Sequence, residues 1–334
     1  MINFRFHLVS LVAVFLAMGL GILVGSTVID QKIVNRLDRE IASVREENAK
    51  RKDENKELAK QNSQLEDFVE STAPFVVDGR LDGQSVAIVA ERGVDGGDVK
   101  KTLALLRGAG ADVPAVLWLD DSWLLDTEKR KADLHAALDL QGDDVTLRSR
   151  ALGLLARRLA TGPTTTAGST TTSIAGSTAT SGGPTSTTVP RTDVLAALEE
   201  AGFVSVTDGN ASELATFPAR APHVLVVTGD KSHFAGAGIT SAMTRALVQA
   251  DLPAVVAAVY DPGSEPSTAP ERGDALAPIL DDGVLSKAVS TLDDLELEQG
   301  RVAATLALAL VANGGIGHYG YGSDASAPLP PHPS

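Results

Sequence analysis

The segment from Leu8 to Ile29, LVSLVAVFLAMGLGILVGSTVI, carries no charged residue, and only Ser10, Ser26 and Thr27 interrupt it with polar side chains. An α-helix rises ~1.5 Å per residue, so about twenty apolar residues cross the hydrocarbon core of a bilayer. In lipid every backbone polar group must be satisfied within the segment, which leaves a helix as the form a single stretch of this kind adopts. A cleaved signal peptide has a shorter apolar core with small residues at the cut, and only Val24 and Ser26 offer a weak match. The stretch 8–29 therefore reads as an uncleaved membrane anchor, preceded by a short tail, 1–7. Ala13, Ala17, Gly21 and Gly25 recur every four residues and form a small-xxx-small face that lets two anchors pack closely. The ordinary abundance of Ala and Gly in membrane helices accounts for the same spacing. Arg5 precedes the anchor, while Lys32, Arg36, Arg39 and Arg45 come after it, so a positive-inside count favours a cytoplasmic location for the remainder of the chain.

Behind the anchor the hydrophobic period becomes seven, over a coiled-coil stretch placed at 30–73. With position a at Val34, Ile41, Asn48, Asn55, Asn62 and Val69, position d falls on Leu37, Val44, Arg51, Leu58, Leu65 and Thr72. Asparagine at a weakens the seam but finds its amide partner only in register, which favours a parallel pair of strands. The flanking charges agree, because Glu40 faces Arg45 and Glu47 faces Lys52 of a second copy in that arrangement. About forty residues of helix would hold the folded domain roughly 60 Å from the membrane. Pro74 and the run from Phe75 to Gly83 are expected to end the helix.

From there the chain alternates short apolar runs with helical periodicity. Strands are expected at Val86–Ala90, Val113–Leu119, Val224–Thr228, Ala254–Tyr260 and, more weakly, Ala288–Leu292. Helices are expected near Asp98–Gly108, Lys129–Leu138, Leu152–Ala160, Asp193–Ala201, Ser241–Ala250 and Gln299–Ala312. Alternation of this kind predicts βαβ units, hence a doubly wound, mostly parallel α/β domain over 80–322 with helices on both faces. The 30 residues of 161–190 include no charge and are dominated by Thr, Ser, Gly and Pro. They read as a disordered, flexible or O-glycosylated insertion within that domain. The end, from Gly314 onward, reads as an unfolded tail, with 323–334 as its disordered part.

Composition narrows the chemistry. A net charge of -14 repels nucleic-acid phosphates, and the absence of cysteine removes disulfides, thiolate metal sites and cysteine nucleophiles. Residues just after each strand are where a ligand crevice would lie: Glu91 with Arg92, Asp120 with Asp121, Asp230 and Asp261. Such acids can hold Mg²⁺, and they equally start turns and cap helices. The loop GVDGG at 93–97 lacks the GxGxxG spacing, and neither a GK[ST] loop nor a G-x-S-x-G elbow is present. No catalytic residue and no tightly bound cofactor is expected. The histidines are His7, His135, His223, His233, His318 and His332, with no pair at helical spacing, and the methionines are Met1, Met18 and Met243. Soft Cu(I) sites need clustered Met or Cys. Weak metal-ligand candidates are His233 with neighbouring Asp230, and His318.

The opening FRFHLVSLVAVFLAMGLGILVGSTVID (Phe4 to Asp30), the heptad helix behind it, GRVAATLALAL (Gly300 to Leu310) and GHYGYG (Gly317 to Gly322) together resemble the actinobacterial family of mycobacterial copper transport protein B. The resemblance spans nearly the whole chain apart from the Thr-rich insertion. It implies a pore-forming envelope or outer-membrane protein that keeps intracellular copper low, with copper as the transported ion and the α/β domain outside the cytoplasm, against the charge count. It assigns no ligand position. A single apolar helix is not a pore, and the chain has no series of ten-residue amphipathic strands for a barrel, so a channel would require an oligomer. The alternative is a dimeric coiled-coil envelope scaffold, seated in the lipid bilayer, whose acidic domain binds an envelope protein partner.

Replacing Asn48, Asn55 and Asn62 together with Leu should raise the melting temperature of a 34–69 peptide dimer and broaden its oligomer distribution. Circular dichroism and sedimentation check this, and a wild-type peptide that stays monomeric at high micromolar concentration contradicts the heptad reading.

Overall fold

The computed structural model describes residues 4–162, 193–207, 222–261, 263 and 270–331. Residues 163–190 of the Thr-rich insertion, and His332, lie outside them. The chain divides into two units, Met1–Phe68 and Val69–Ser334. In the first, the stretch Phe4–Gly25 is long and apolar enough, by length and composition, to cross a membrane. It belongs to helix α1, Phe4–Val77. The heptad residues Leu37, Ile41, Val44, Leu58 and Leu65 on α1 are all exposed in the single chain.

In the second unit a seven-stranded sheet forms from β1 (Val86–Glu91), β2 (Val116–Leu119), β3 (Val204–Thr207), β4 (His223–Gly229), β5 (Ala254–Val259), β6 (Ser290–Leu292) and β7 (His318–Tyr319). Their order is β3-β2-β1-β4-β5-β6-β7, and every neighbouring pair is parallel except β2 with β3. Apolar residues on both sides of the pleat explain why: every residue of β1, VAIVAE, is buried. Ala87 and Val89 share one core with Leu117, Val226 and Val256. That core is covered by residues of α3 (Glu128–Leu138), α4 (Asp144–Thr161), α5 (Val194–Glu200) and α6 (Ile239–Gln249). Val86, Ile88 and Ala90 point to the opposite core with Leu225 and Val255, covered by α2 (Gly96–Gly108) and α8 (Glu298–Val311). A short helix α7, Ala277–Leu280, precedes β6. The mixed α/β class with a mostly parallel sheet is therefore as read from the pattern.

Three expected boundaries are corrected, and two strands are added. Helix α1 does not stop at Pro74 but runs to Val77. The reason lies in burial, since Ala73 and Val77 are 1% and 0% exposed in the α/β core and their packing offsets the bond lost at proline. Strand β2 begins three residues later than expected, after Pro114, which has no N–H to give a ladder. Helix α4 begins two turns earlier, at Asp144, because Asp143 accepts a hydrogen bond from the Thr146 amide at 2.8 Å and caps a first turn that is too polar to show apolar periodicity. Strands β3 and β7 are too short to carry a pattern of their own.

The last of these also corrects the expectation of an unfolded tail from Gly314. Strand β7 pairs with β6 through Thr291↔His318 and Leu292↔Tyr319. Asp293 then fixes the next turn, accepting hydrogen bonds from the Tyr321 and Gly322 amides at 2.9 Å each. Gly320 sits at φ +124°, and a β-carbon there would overlap the Asp293 carboxylate. The motif GHYGYG is thus a strand end wrapped around one carboxylate. Ser326 and Ala327 extend the order, since the Ser326 amide donates to the His318 carbonyl at 2.8 Å and the Gly320 amide to the Ala327 carbonyl at 3.0 Å.

Gly320→Ala should destabilise the α/β unit by about 2–3 kcal/mol, from left-handed strain and the overlap with Asp293. Denaturant unfolding of the purified chain followed by near-ultraviolet circular dichroism measures it, and a change below ~0.5 kcal/mol would show that the turn is not held as described.

Candidate functional site

The strand order reverses between β1 and β4, and in an open parallel sheet that is where ligands enter, beyond the carboxyl ends of the strands. Glu91, the last residue of β1, lies there with 0% exposure. Thr228 at the end of β4, Ser232 in the next loop and Thr240 in the first turn of α6 each donate a hydroxyl hydrogen bond to its carboxylate at 2.6 Å. Burial raises its pKa, and the three hydroxyls, Ser232 first, pull it back down.

Backbone closes the crevice above this floor. The His233 amide donates to the Arg92 carbonyl at 2.9 Å. Gly93, at φ +95°, packs so closely under the Lys231 carbonyl and the His233 ring that a β-carbon there would overlap both. The loops after β1 and β4 are thereby zipped together. Two cavities remain beside the seam, one of about 140 Å³ between Gly93, Asp95, Gly229 and Asp261, and one of about 390 Å³ between Asp230, Phe234, Thr240 and Asp274. The smaller does not suit a phosphate. The amino end of α2 is already capped, with the Gly97 amide donating to Asp95 at 2.6 Å, and Asp98 adds a further acid in its first turn.

The acids expected at this edge do converge on it, each committed to a neighbour. Arg92 donates to Asp120 and to the Ser205 hydroxyl, both at 2.6 Å, and its guanidinium lies 5.1 Å from the centroid of Trp118. Asp121 pairs with His233 Nδ1 at 2.7 Å. Asp230 accepts from the Asp261 amide at 3.0 Å, while Asp261 Oδ1 accepts from the Gly263 amide at 2.8 Å in a tight turn. Burial raises the Asp230 pKa, with the charges of Asp274, Asp261 and Glu296 adding to it.

The weak metal-ligand candidates are not brought together. His233 and Asp230 come after the same strand yet serve different partners, Asp121 and the Asp261 backbone. His318 lies on β7, where its Nδ1 meets the Thr291 hydroxyl at 2.9 Å. Three strand spacings separate β4 from β7, roughly 14 Å. Among the described residues no group of three or more His, Cys, Asp or Glu is placed to hold a metal ion.

A second polar cluster lies past β5 and β6, and its parts show in the sequence only as a run of acids. Arg272 pairs with Glu296 at 2.6 Å, stacks 4.3 Å from the centroid of Tyr260 and donates to the Asp293 carbonyl at 3.0 Å. Glu296 also accepts from the Tyr260 amide at 3.0 Å. Arg301 donates to the carbonyls of Leu295 and Glu296 at 3.1 and 2.9 Å, so α8 grips the loop before it. Asp294 is fully buried inside this loop, and neither carboxylate oxygen has a hydrogen-bond partner. Desolvation first, then the charges of Asp293 and Glu296, pushes its pKa up to about 7.

These observations define an α/β protein with one N-terminal helix of membrane-crossing length and a sheet crevice closed by its own side chains. The family model described as "Copper transport outer membrane protein, MctB" matches residues 1–330, and the chain belongs to that family. Proteins named copper transporter MctB from Mycobacterium bovis and Mycobacterium tuberculosis are each 27% identical to it, over 97% of this chain and 98% of theirs.

The ionisation of Asp294 sets a pH dependence. Its folded pKa, about 7, is raised from 3.8, so the unfolded chain loses the proton first and the stability of the protonated loop declines as pH rises from about 4 to 7. Asp294→Asn should leave stability near pH 4 little changed and raise it at pH 8 by on the order of 2–4 kcal/mol. Thermal melts of both chains at the two pH values check the sign, and a variant less stable at pH 8 would show that the charge is used.

Proposed function

We propose that the chain is a non-catalytic, membrane-anchored envelope protein of copper homeostasis, acting as an oligomer that limits intracellular copper. The family match over residues 1–330 carries this reading. The Phe4–Gly25 helix supports anchoring, and the relatives named copper transporters support copper as the ion handled. Because one apolar helix encloses no path for an ion, a conduit needs several copies. The heptad seam of α1, with its exposed Leu37, Ile41, Val44, Leu58 and Leu65, supplies a parallel dimer as the unit of assembly. Outside the cytoplasm, in a doubly wound fold, the α/β unit would face the envelope.

The zipped crevice favours a second reading. With Glu91, Arg92, Asp120, Asp121 and Asp230 all engaged internally, the domain offers an acidic surface to a protein partner more readily than a pocket to a substrate. In that case the chain is a dimeric scaffold and copper passes through its partner.

Cells lacking the gene should accumulate more copper and grow less well in it. The full chain should restore both, and a chain starting at residue 30 should restore neither. Copper content unchanged by the deletion, together with mislocalisation of an envelope protein, would replace the first reading with the second.

A further inference from the structure

Helix α1 continues through Pro74 to Val77, so the heptad count does not end where the proline suggested. The d and a positions after Val69 are Thr72 and Val76, and Phe75 occupies g beside them. In the α/β unit Val76 is 44% exposed and Phe75 83%, although Ala73 and Val77, on the neighbouring flank of the same turns, are 1% and 0% exposed. About 100° of rotation per residue separates the two flanks, so the core takes one and leaves the other bare. Val76 and Phe75 thus continue the row of exposed apolar heptad residues Leu37, Ile41, Val44, Leu58 and Leu65.

Pro74 falls at f, the outermost position of a two-stranded coil. Proline lacks an N–H, and at f it gives up its backbone bond on the face away from Val69, Thr72 and Val76. The proline therefore leaves the seam positions free to pair. The heptad charges point to a second copy as what meets it: within one helix Glu40 pairs with Arg36 at 3.1 Å and Glu47 with Arg51 at 2.6 Å, and in a parallel, in-register pair the same two acids also stand opposite Arg45 and Lys52 of the other copy.

We propose that α1 pairs with a second copy beyond Pro74, through Val69, Thr72 and Val76 flanked by Phe75, so that the contact between copies reaches into the α/β unit itself. This rests on the parallel-dimer reading and specifies where its seam ends. The coupling makes the assembly state of the coil and the packing of Ala73 and Val77 depend on the same two helical turns.

The chain holds no cysteine, so single cysteines report the seam without background. Asn55→Cys, Val76→Cys and Ser71→Cys are introduced separately into the full chain in native membranes, oxidised mildly and resolved on non-reducing gels. Facing a positions bring their Cα atoms within disulfide reach, about 4.4–6.8 Å, whereas position c does not. Strong dimer bands for Asn55→Cys and Val76→Cys, at least tenfold above Ser71→Cys, are expected. A band for Asn55→Cys without one for Val76→Cys would overturn the extension and leave the dimer standing. No band for either would remove the dimer itself. Equal bands for Ser71→Cys and Val76→Cys would show random collision and overturn the proposal. Val76→Glu in the otherwise native chain should weaken dimerisation in detergent about tenfold, and an unchanged dissociation constant would also overturn it.

Discussion

A carboxylate with no exposed surface holds the middle of the sheet. Glu91 draws hydroxyls from the end of β4, from the loop behind it and from α6, and so binds three elements at the place where the strand order reverses. Leaving a buried carboxyl without hydrogen-bond partners costs about 1–3 kcal/mol, so the three hydroxyls stabilise this junction. The loops that elsewhere open around a ligand are therefore fastened to one another. The Arg92 carbonyl and the absent side chain of Gly93 complete the closure, because only glycine can lie under Lys231.

The same economy of internal partners extends along the carboxyl edge. Arg92, Arg272 and Arg301 each serve an acid and a backbone carbonyl or hydroxyl. Among the described acids, Asp294 is left buried without a donor, at a loop clamped from one side by Arg301 and from the other by the turn around Asp293. Backbone order around these acids gives the two family-like motifs a shared physical basis. Gly300 of GRVAATLALAL permits α8 to lie against the Asp294 backbone, and Gly320 of GHYGYG permits the last turn to close on Asp293.

The apolar helix and the central strands were legible because each carries a pattern long enough to stand above chance. Val86–Ala90 and Ala254–Val259 are buried throughout and read as unbroken apolar runs. Antiparallel β3 and two-residue β7 were not legible, since their pairing is set by neighbours rather than by their own residues. Pro74 misled for a related reason: a local rule against helix yielded to the burial of Ala73 and Val77. At the candidate site the acids were visible as the residues after strands, yet their partners Thr228, Ser232 and Thr240 look like any surface hydroxyls in sequence. Only the topology shows that these three reach Glu91 from positions 137 to 149 residues away.

The proposed function places copper handling in the assembled, membrane-seated chain and leaves structural work to the scattered imidazoles and carboxylates of the α/β unit. The most direct test is the copper content of cells whose only copy of the chain carries Asp230→Ala, His233→Ala and His318→Ala together. A content equal to that of cells with the native chain is the expected result. A rise to the level of cells lacking the gene, with the triple variant present in the membrane at native abundance, would contradict that assignment.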